Sequence, residues 1–153
     1  MPTVEERLSA LGLTVHDVVP PVAAYVPAVV SGRYVYTSGQ LPFVDGKLPK
    51  TGKVGAEVTP EEATELAAIC ALNAIAAVKS VSLLEEVVRV VKVTCFVASA
   101  PDFTGQPAVA NGASNLLLEA FGEFGAHARS AVGVAVLPLD APVEVEVIVE
   151  LAE

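Results

Sequence analysis

The chain has 153 residues, of which 18 are Asp or Glu and nine are Lys or Arg, for a formal net charge of −9. That length fits one domain able to bury a core without disulfide staples, and an acidic balance with no basic run argues against nucleic acid as a partner. Hydrophobic residues make up 53% of the chain against a usual share of about 45 to 50%, so self-association is the expected outlet for apolar surface.

Thr3 and Glu6 match a capping box opening a short helix to about Leu11, ended by Gly12. Residues 1–20 are read as an N-terminal extension of a single domain spanning 1–153. Met1 to Arg7 has neither a basic start nor an apolar signal core, so a soluble, intracellular and cytoplasmic protein is expected. The run Val22 to Val30 is strand-like, although Pro27 confines it to a sheet edge or an irregular stretch. Ser31-Gly32 turns the chain into a strand over Arg33 to Ser38. Gly39 and Pro42 break that strand, and Asp45-Gly46 and Thr51-Gly52 mark an irregular loop.

Thr59-Pro60-Glu61-Glu62 is a second capping box, with proline at its favoured first position and acids at the positive end of the helix dipole. The long helix that follows has a packed stripe of Leu66, Ile69, Leu72, Asn73 and Ala76, in which Asn73 is expected to bond nearby backbone. Its apolar part, Leu66 to Val78, is thirteen residues long, well short of the roughly 20 that span a bilayer, so no membrane partner is expected. Cys70 on this helix and Cys95 in a strand over Val87 to Val97 stand alone in apolar settings, without zinc-type spacing to His16 or His127. Both are expected to be reduced and packed, and no metal site is predicted. Pro101 ends that strand, and a second helix begins after Pro107 or Gly112 and runs through Phe121, closing near Gly122 or Gly125.

Arg129 to Val136 alternates Ser130, Val132, Val134 and Val136 with Arg129, Ala131, Gly133 and Ala135. A guanidinium at the edge of such a small-residue floor suits a flat anion. The next strand sets Glu144, Glu146, Ile148 and Glu150 against Val143, Val145, Val147 and Val149. A turn over Leu137 to Pro142 is expected to make these strands hairpin-like neighbours. His127, two residues before Arg129, shares its face in extended backbone and offers a proton donor or acceptor near neutral pH, beside the plainer reading of a structural histidine. The order helix, strand, strand, helix, strand, helix, strand, strand predicts an α+β fold, a mixed sheet covered by helices on one side. Arg129 and Glu144 would then line one pocket on the uncovered face, where neighbouring subunits pack.

These segments resemble the reactive intermediate deaminase (RidA/YjgF) family. The likeness rests on Thr37-Ser-Gly-Gln-Leu-Pro42, on Val91-Lys-Val-Thr-Cys-Phe-Val97 followed by Asp102-Phe103, and on Ala128-Arg-Ser-Ala-Val with Leu137-Pro and Val143-Glu-Val-Glu146. It covers roughly Val22 to Val149, and the motifs are specific together rather than singly. The resemblance implies a chorismate-mutase-like fold with two long helices on one sheet face, a homotrimer whose sheets face a central barrel, and sites between subunits. The implied activity is hydrolysis of small enamine and imine intermediates to 2-keto acids and ammonia, with no cofactor or metal.

By the same resemblance Arg129 falls on the arginine that clamps the substrate carboxylate, a task suited to its planar fork. Glu144 falls on the acid associated with the reactive water. Ser38 and Gly39 fall on the loop that contacts substrate, Tyr25 on a tyrosine near the cleft, and Asn111 on a family asparagine, while the backbone of Ala131 would face the carbonyl or imine. Ala23-Ala24 stand in place of a common Gly-Pro pair, Ala131 in place of a frequent cysteine, and Gln106 to Ser114 is longer than usual, which implies a divergent subgroup. Two other readings stand beside the deaminase: a non-catalytic trimeric binder or sensor of small carboxylates that uses Arg129, and a ribonuclease, which the acidic balance disfavours.

Overall fold

A computed structural model describes residues 1–18, 20–21 and 23–153. Thr3 Oγ1 accepts a hydrogen bond from the Glu6 amide at 3.1 Å and opens α1, Val4–Ser9. This helix buries Val4 and Leu8 in the main core and gives way at Gly12, whose φ of 77° favours a residue without Cβ. The strand expected to start at Val22 begins on a position outside the described residues; β1 is Ala28–Ser31, starting only after Pro27. Gly32 and Arg33 then form a two-residue turn into β2, Tyr34–Thr37.

α2, Pro60–Lys79, carries the full reciprocal cap. Thr59 Oγ1 accepts from the Glu62 amide at 3.1 Å, and the Glu62 carboxylate accepts from the Thr59 amide at 3.0 Å. The helix buries Ala63, Leu66, Ala67, Cys70, Ala74 and Ala77 among others, whereas Ile69, Leu72 and Asn73 of the expected stripe are half-buried on its flank. Asn73 does bond backbone: Nδ2 donates to the carbonyls of Leu41 and Phe43 at 3.0 and 3.1 Å, pinning the loop after β2.

β3, Val87–Ala98, leads through α3, Gln106–Phe121, to β4, Ala128–Val134, and the chain finishes with β5, Val143–Leu151. The five strands form one sheet in the order β1-β2-β5-β3-β4, antiparallel throughout except for β3 and β4. α3 is the reason for the exception, since a helical crossover returns the chain to run alongside β3 in the same direction. β4 and β5 are therefore not the expected hairpin neighbours; β3 lies between them.

α2 and α3 cover one face of the sheet, packing on Val93, Cys95 and Val97 of β3 and on Val143, Val145, Val147 and Val149 of β5. The two helices approach so closely that a Cβ on Gly112 would lie 1.9 Å from the Thr64 carbonyl oxygen. Both cysteines are free and buried against this layer, as expected. Burial pushes the Cys95 thiol up to about 12, although Arg129 opposes it, and burial drives Cys70 well above its ordinary value, so neither is a nucleophile near neutral pH.

The mixed α+β sheet with two long helices agrees with the sequence reading, but the expected barrel does not form. The sheet is open, with β1 and β4 as its two edges. Closure would require those edges to meet with matched tilt and stagger, and here three strands separate them, with β1 only four residues long. No helix among the described residues is long and apolar enough to cross a membrane.

Candidate active site

The site residues named from the sequence fall into two groups. The first forms where α3 passes over β4. Asn111 and Ser114 stand three apart on α3 and so share a helix face; both bond Arg129. Nη1 of Arg129 donates to Asn111 Oδ1 at 2.8 Å and to Ser114 Oγ at 3.2 Å, and Nη2 reaches the Pro107 carbonyl at 3.4 Å. A guanidinium carries five N–H donors, so these three bonds leave the Nε hydrogen and one Nη2 hydrogen for another acceptor. No carboxylate among the described residues pairs with Arg129. Its charge is held in place by neutral acceptors and left uncompensated.

His127 completes this group. Its Nε2 lies 2.8 Å from Ser114 Oγ, and its Nδ1 lies 2.5 Å from the Gly125 carbonyl oxygen. Ser114 is a residue that the sequence reading missed. The available signal was spacing: a polar side chain three positions after Asn111 on an otherwise apolar helix face.

The second group lies around the loop after β2. Tyr25, Gly39 and Glu144 border a cavity of about 290 Å³ whose other walls include Leu41, Phe43 and Leu139. Ser38 is set back from it: Oγ donates to the Val26 carbonyl at 2.6 Å and the amide donates to the Pro27 carbonyl at 2.7 Å, fastening the segment that carries Tyr25. Gly39 touches the acid directly, since a Cβ there would fall 2.1 Å from Glu144 Oε2. Burial, with a smaller push from neighbouring Glu146, raises the Glu144 pKa above its ordinary value. Such a carboxyl can hold a proton and release it nearer neutral pH than a solvated one.

One chain does not bring the two groups together. Val93 of β3 is paired with Arg129 on one side and Val147 on the other, while Phe96 is paired with Val132 and Glu144. Because Val93 and Phe96 are three residues apart, the period-two alternation puts Arg129 on the helix-covered face and Glu144 on the open one. The expectation that they share a pocket on the uncovered face therefore fails within a single chain. The small-residue face of β4 is not a ligand floor either. Ala131, opposite Cys95, packs on the core, and a Cβ on Gly133 would meet Gln106 Nε2 at 2.8 Å, so the small side chains admit α3. The valine face is the exposed one, with Val132 at 43% exposure and Val136 at 62%.

The chain is similar to known proteins over most of its length. The family model described as endoribonuclease L-PSP matches residues 16–151. Protein TCP17 of Trypanosoma cruzi is 45% identical over 150 residues, covering 97% of this chain and 94% of that one. The 2-iminobutanoate/2-iminopropanoate deaminase of Escherichia coli strain K12 is 35% identical over 132 residues, covering 83% of this chain and 87% of the relative. A crystal structure of a protein with unknown function from Agrobacterium tumefaciens superposes with a TM-score of 0.89 at 45% identity, covering 99% of this chain and 94% of that one. With these matches across most of its length, the chain belongs to the RidA/YjgF family, the endoribonuclease L-PSP family of the matching model.

Proposed function

We propose that this protein hydrolyses small enamine and imine intermediates derived from 2-amino acids to 2-keto acids and ammonia. The observation that carries the proposal is the state of Arg129: a guanidinium fixed by Asn111 and Ser114, unpaired with any acid among the described residues, and keeping two N–H donors free. An Nε and an Nη2 hydrogen suffice to engage the two oxygens of a carboxylate. The E. coli relative named as an iminobutanoate and iminopropanoate deaminase supports the same reading of the substrate class.

In the proposed reaction the enamine first tautomerises to the imine. Water then adds its oxygen to the C=N carbon as the Glu144 carboxylate takes one of its protons and delivers it to nitrogen, giving a carbinolamine; the hydroxyl proton then passes through the same carboxyl group to nitrogen, so that the C=O bond forms, the C–N bond breaks and ammonia leaves. A carboxyl with a raised pKa suits both halves of this transfer. Arg129 and Glu144 lie on opposite faces of one sheet, so the proposed site joins the Arg129 group of one copy to the Tyr25, Gly39 and Glu144 group of another. A homotrimer with three such seams is the proposed assembly. Exposed Val29, Tyr34, Tyr36 and Val132 on the open face and its strand edges supply apolar surface for it.

The test generates 2-iminopropionate or 2-iminobutyrate with an amino-acid oxidase and competes hydrolysis against semicarbazide trapping. Added protein is expected to suppress the trapped product, and Arg129→Ala to abolish that effect. No acceleration by the wild type across several imino acids would refute the deaminase reading. Calorimetric binding of a keto acid through Arg129 without turnover would instead favour a carboxylate sensor.

A further inference from the structure

We infer that His127 is a positioning residue for the carboxylate clamp, acting on Arg129 through the hydroxyl of Ser114. This inference deepens the proposed function and rests on Arg129 being the substrate's carboxylate anchor.

The directions of the hydrogen bonds follow from what each atom can do. The Gly125 carbonyl only accepts, so His127 Nδ1, at 2.5 Å, must carry the hydrogen. In the neutral imidazole Nε2 is then a bare acceptor, and its partner at 2.8 Å, Ser114 Oγ, must donate to it. That orients the hydroxyl hydrogen away from Arg129 and turns a lone pair of Oγ toward Nη1, which donates across 3.2 Å. A serine hydroxyl otherwise rotates freely, and with its hydrogen turned toward the guanidinium it would repel the group that it now holds. His127 removes that alternative.

The far end of the relay is rigid. A Cβ on Gly125 would lie 2.5 Å from the Leu117 carbonyl oxygen, so the backbone that anchors Nδ1 is pressed against the last turns of α3. Asn111 and Ser114 come from the same helix. Every group that fixes Nη1 is thereby referenced to α3, and the two free N–H donors of Arg129 keep a constant direction. A serine bonded to a histidine that is itself oriented by a carbonyl also has the outline of a nucleophile and its base. Here the serine is 8% exposed and its oxygen is already engaged by Arg129, which favours positioning over attack.

Two measurements test the relay. Nitrogen-15 NMR of the wild-type protein reads the His127 tautomer without reference to activity: hydrogen on Nδ1 is expected, and hydrogen on Nε2 would overturn the inference even in an inactive protein. In the imine assay, Ser114→Ala and His127→Phe are each expected to raise KM about tenfold while kcat changes little, the size set by loss of one bond to a charged group. The double variant should be no worse than either single one, and His127→Gln, whose amide can donate to Gly125 and accept from Ser114, should recover most of the loss. An unchanged KM in both single variants, or a collapse of kcat alone in Ser114→Ala, would overturn positioning. If the wild type neither hydrolyses imino acids nor binds pyruvate, the functional reading fails while the tautomer still decides the relay.

Discussion

Glu144 lies against the backbone of Gly39: a methyl group on that glycine would sit 2.1 Å from Oε2 and 2.7 Å from the carboxyl carbon. Gly39 has no positive φ, so the absence of a side chain serves the carboxyl group and not the turn. Gly39→Ala should displace the end of a flexible side chain without straining the backbone. Folding stability is expected to stay within about 0.5 kcal/mol of wild type, whereas kcat for imine hydrolysis should fall by about tenfold or more as the acid leaves its working position. A thermal melt beside a kcat measurement checks both; an unchanged kcat would remove Glu144 from the chemistry.

The pH dependence of stability offers a separate reading of Glu144. Burial, then the Glu146 charge, holds its pKa above the ordinary 4.5. A carboxyl raised in the folded state stabilises fully below its unfolded value, and that contribution is lost as pH rises through the folded value. The unfolding free energy of the wild type relative to Glu144→Gln should therefore decline as pH rises from the ordinary carboxyl value through the raised one, read from denaturant titrations at several pH values. A difference that grows with pH would mean that the carboxylate is stabilised in place.

Much of this architecture was legible because its signals are local. Thr59, Pro60 and Glu62 announce the start of α2, and Pro27 and Gly32 bound β1 and its turn. Alternation along β4 and β5 sorted their side chains into the right sets. It could not say which set faces the helices, because a period of two is symmetric between the faces. Val132, Val134 and Val136 resembled a core stripe, yet the set with Ala131 and Gly133 is the one under α3, since a close helix needs small residues beneath it. Strand adjacency was hidden for a related reason. Sequence neighbours β4 and β5 are parted by β3, and only the crossover through α3 reveals it. The Arg129 cluster was half visible: Asn111 came from the family likeness, while Ser114 shows its role only when α3 lies over β4.

Glu62 should control the acid limb of stability. Its carboxylate bonds Lys50 Nζ at 2.7 Å and the Thr59 amide at 3.0 Å, and these bonds, led by Lys50, lower its pKa to about 2. A depressed carboxyl stabilises fully above its unfolded value, and the contribution disappears as pH falls toward the folded value. The stability difference between wild type and Glu62→Gln is expected to be present at neutral pH and to vanish as pH approaches 2. Thr59→Ala should cost about 1 kcal/mol at neutral pH. Helical circular dichroism during acid titration follows both; a difference that persists unchanged to pH 2 would contradict the ion pair.

Gly112 is where a single methyl group should do the most damage. It lies inside α3, and its missing side chain lets the helix touch α2: a Cβ would lie 1.9 Å from the Thr64 carbonyl oxygen and 2.8 Å from its carbon. In an open helix glycine to alanine is favourable by about 0.8 to 1.0 kcal/mol. Here the obstacle is backbone, which cannot rotate aside, so the helices must part and loosen the layer over Cys95 and Val145. Gly112→Ala is expected to destabilise by roughly 2 to 3 kcal/mol in spite of the propensity gain. It should also weaken substrate binding, because Asn111 and Ser114 ride on the displaced helix and carry Arg129 with them. Equilibrium denaturation and KM measured on the same variant test the two effects, and a protein as stable as wild type would show that α2 and α3 do not meet at this glycine.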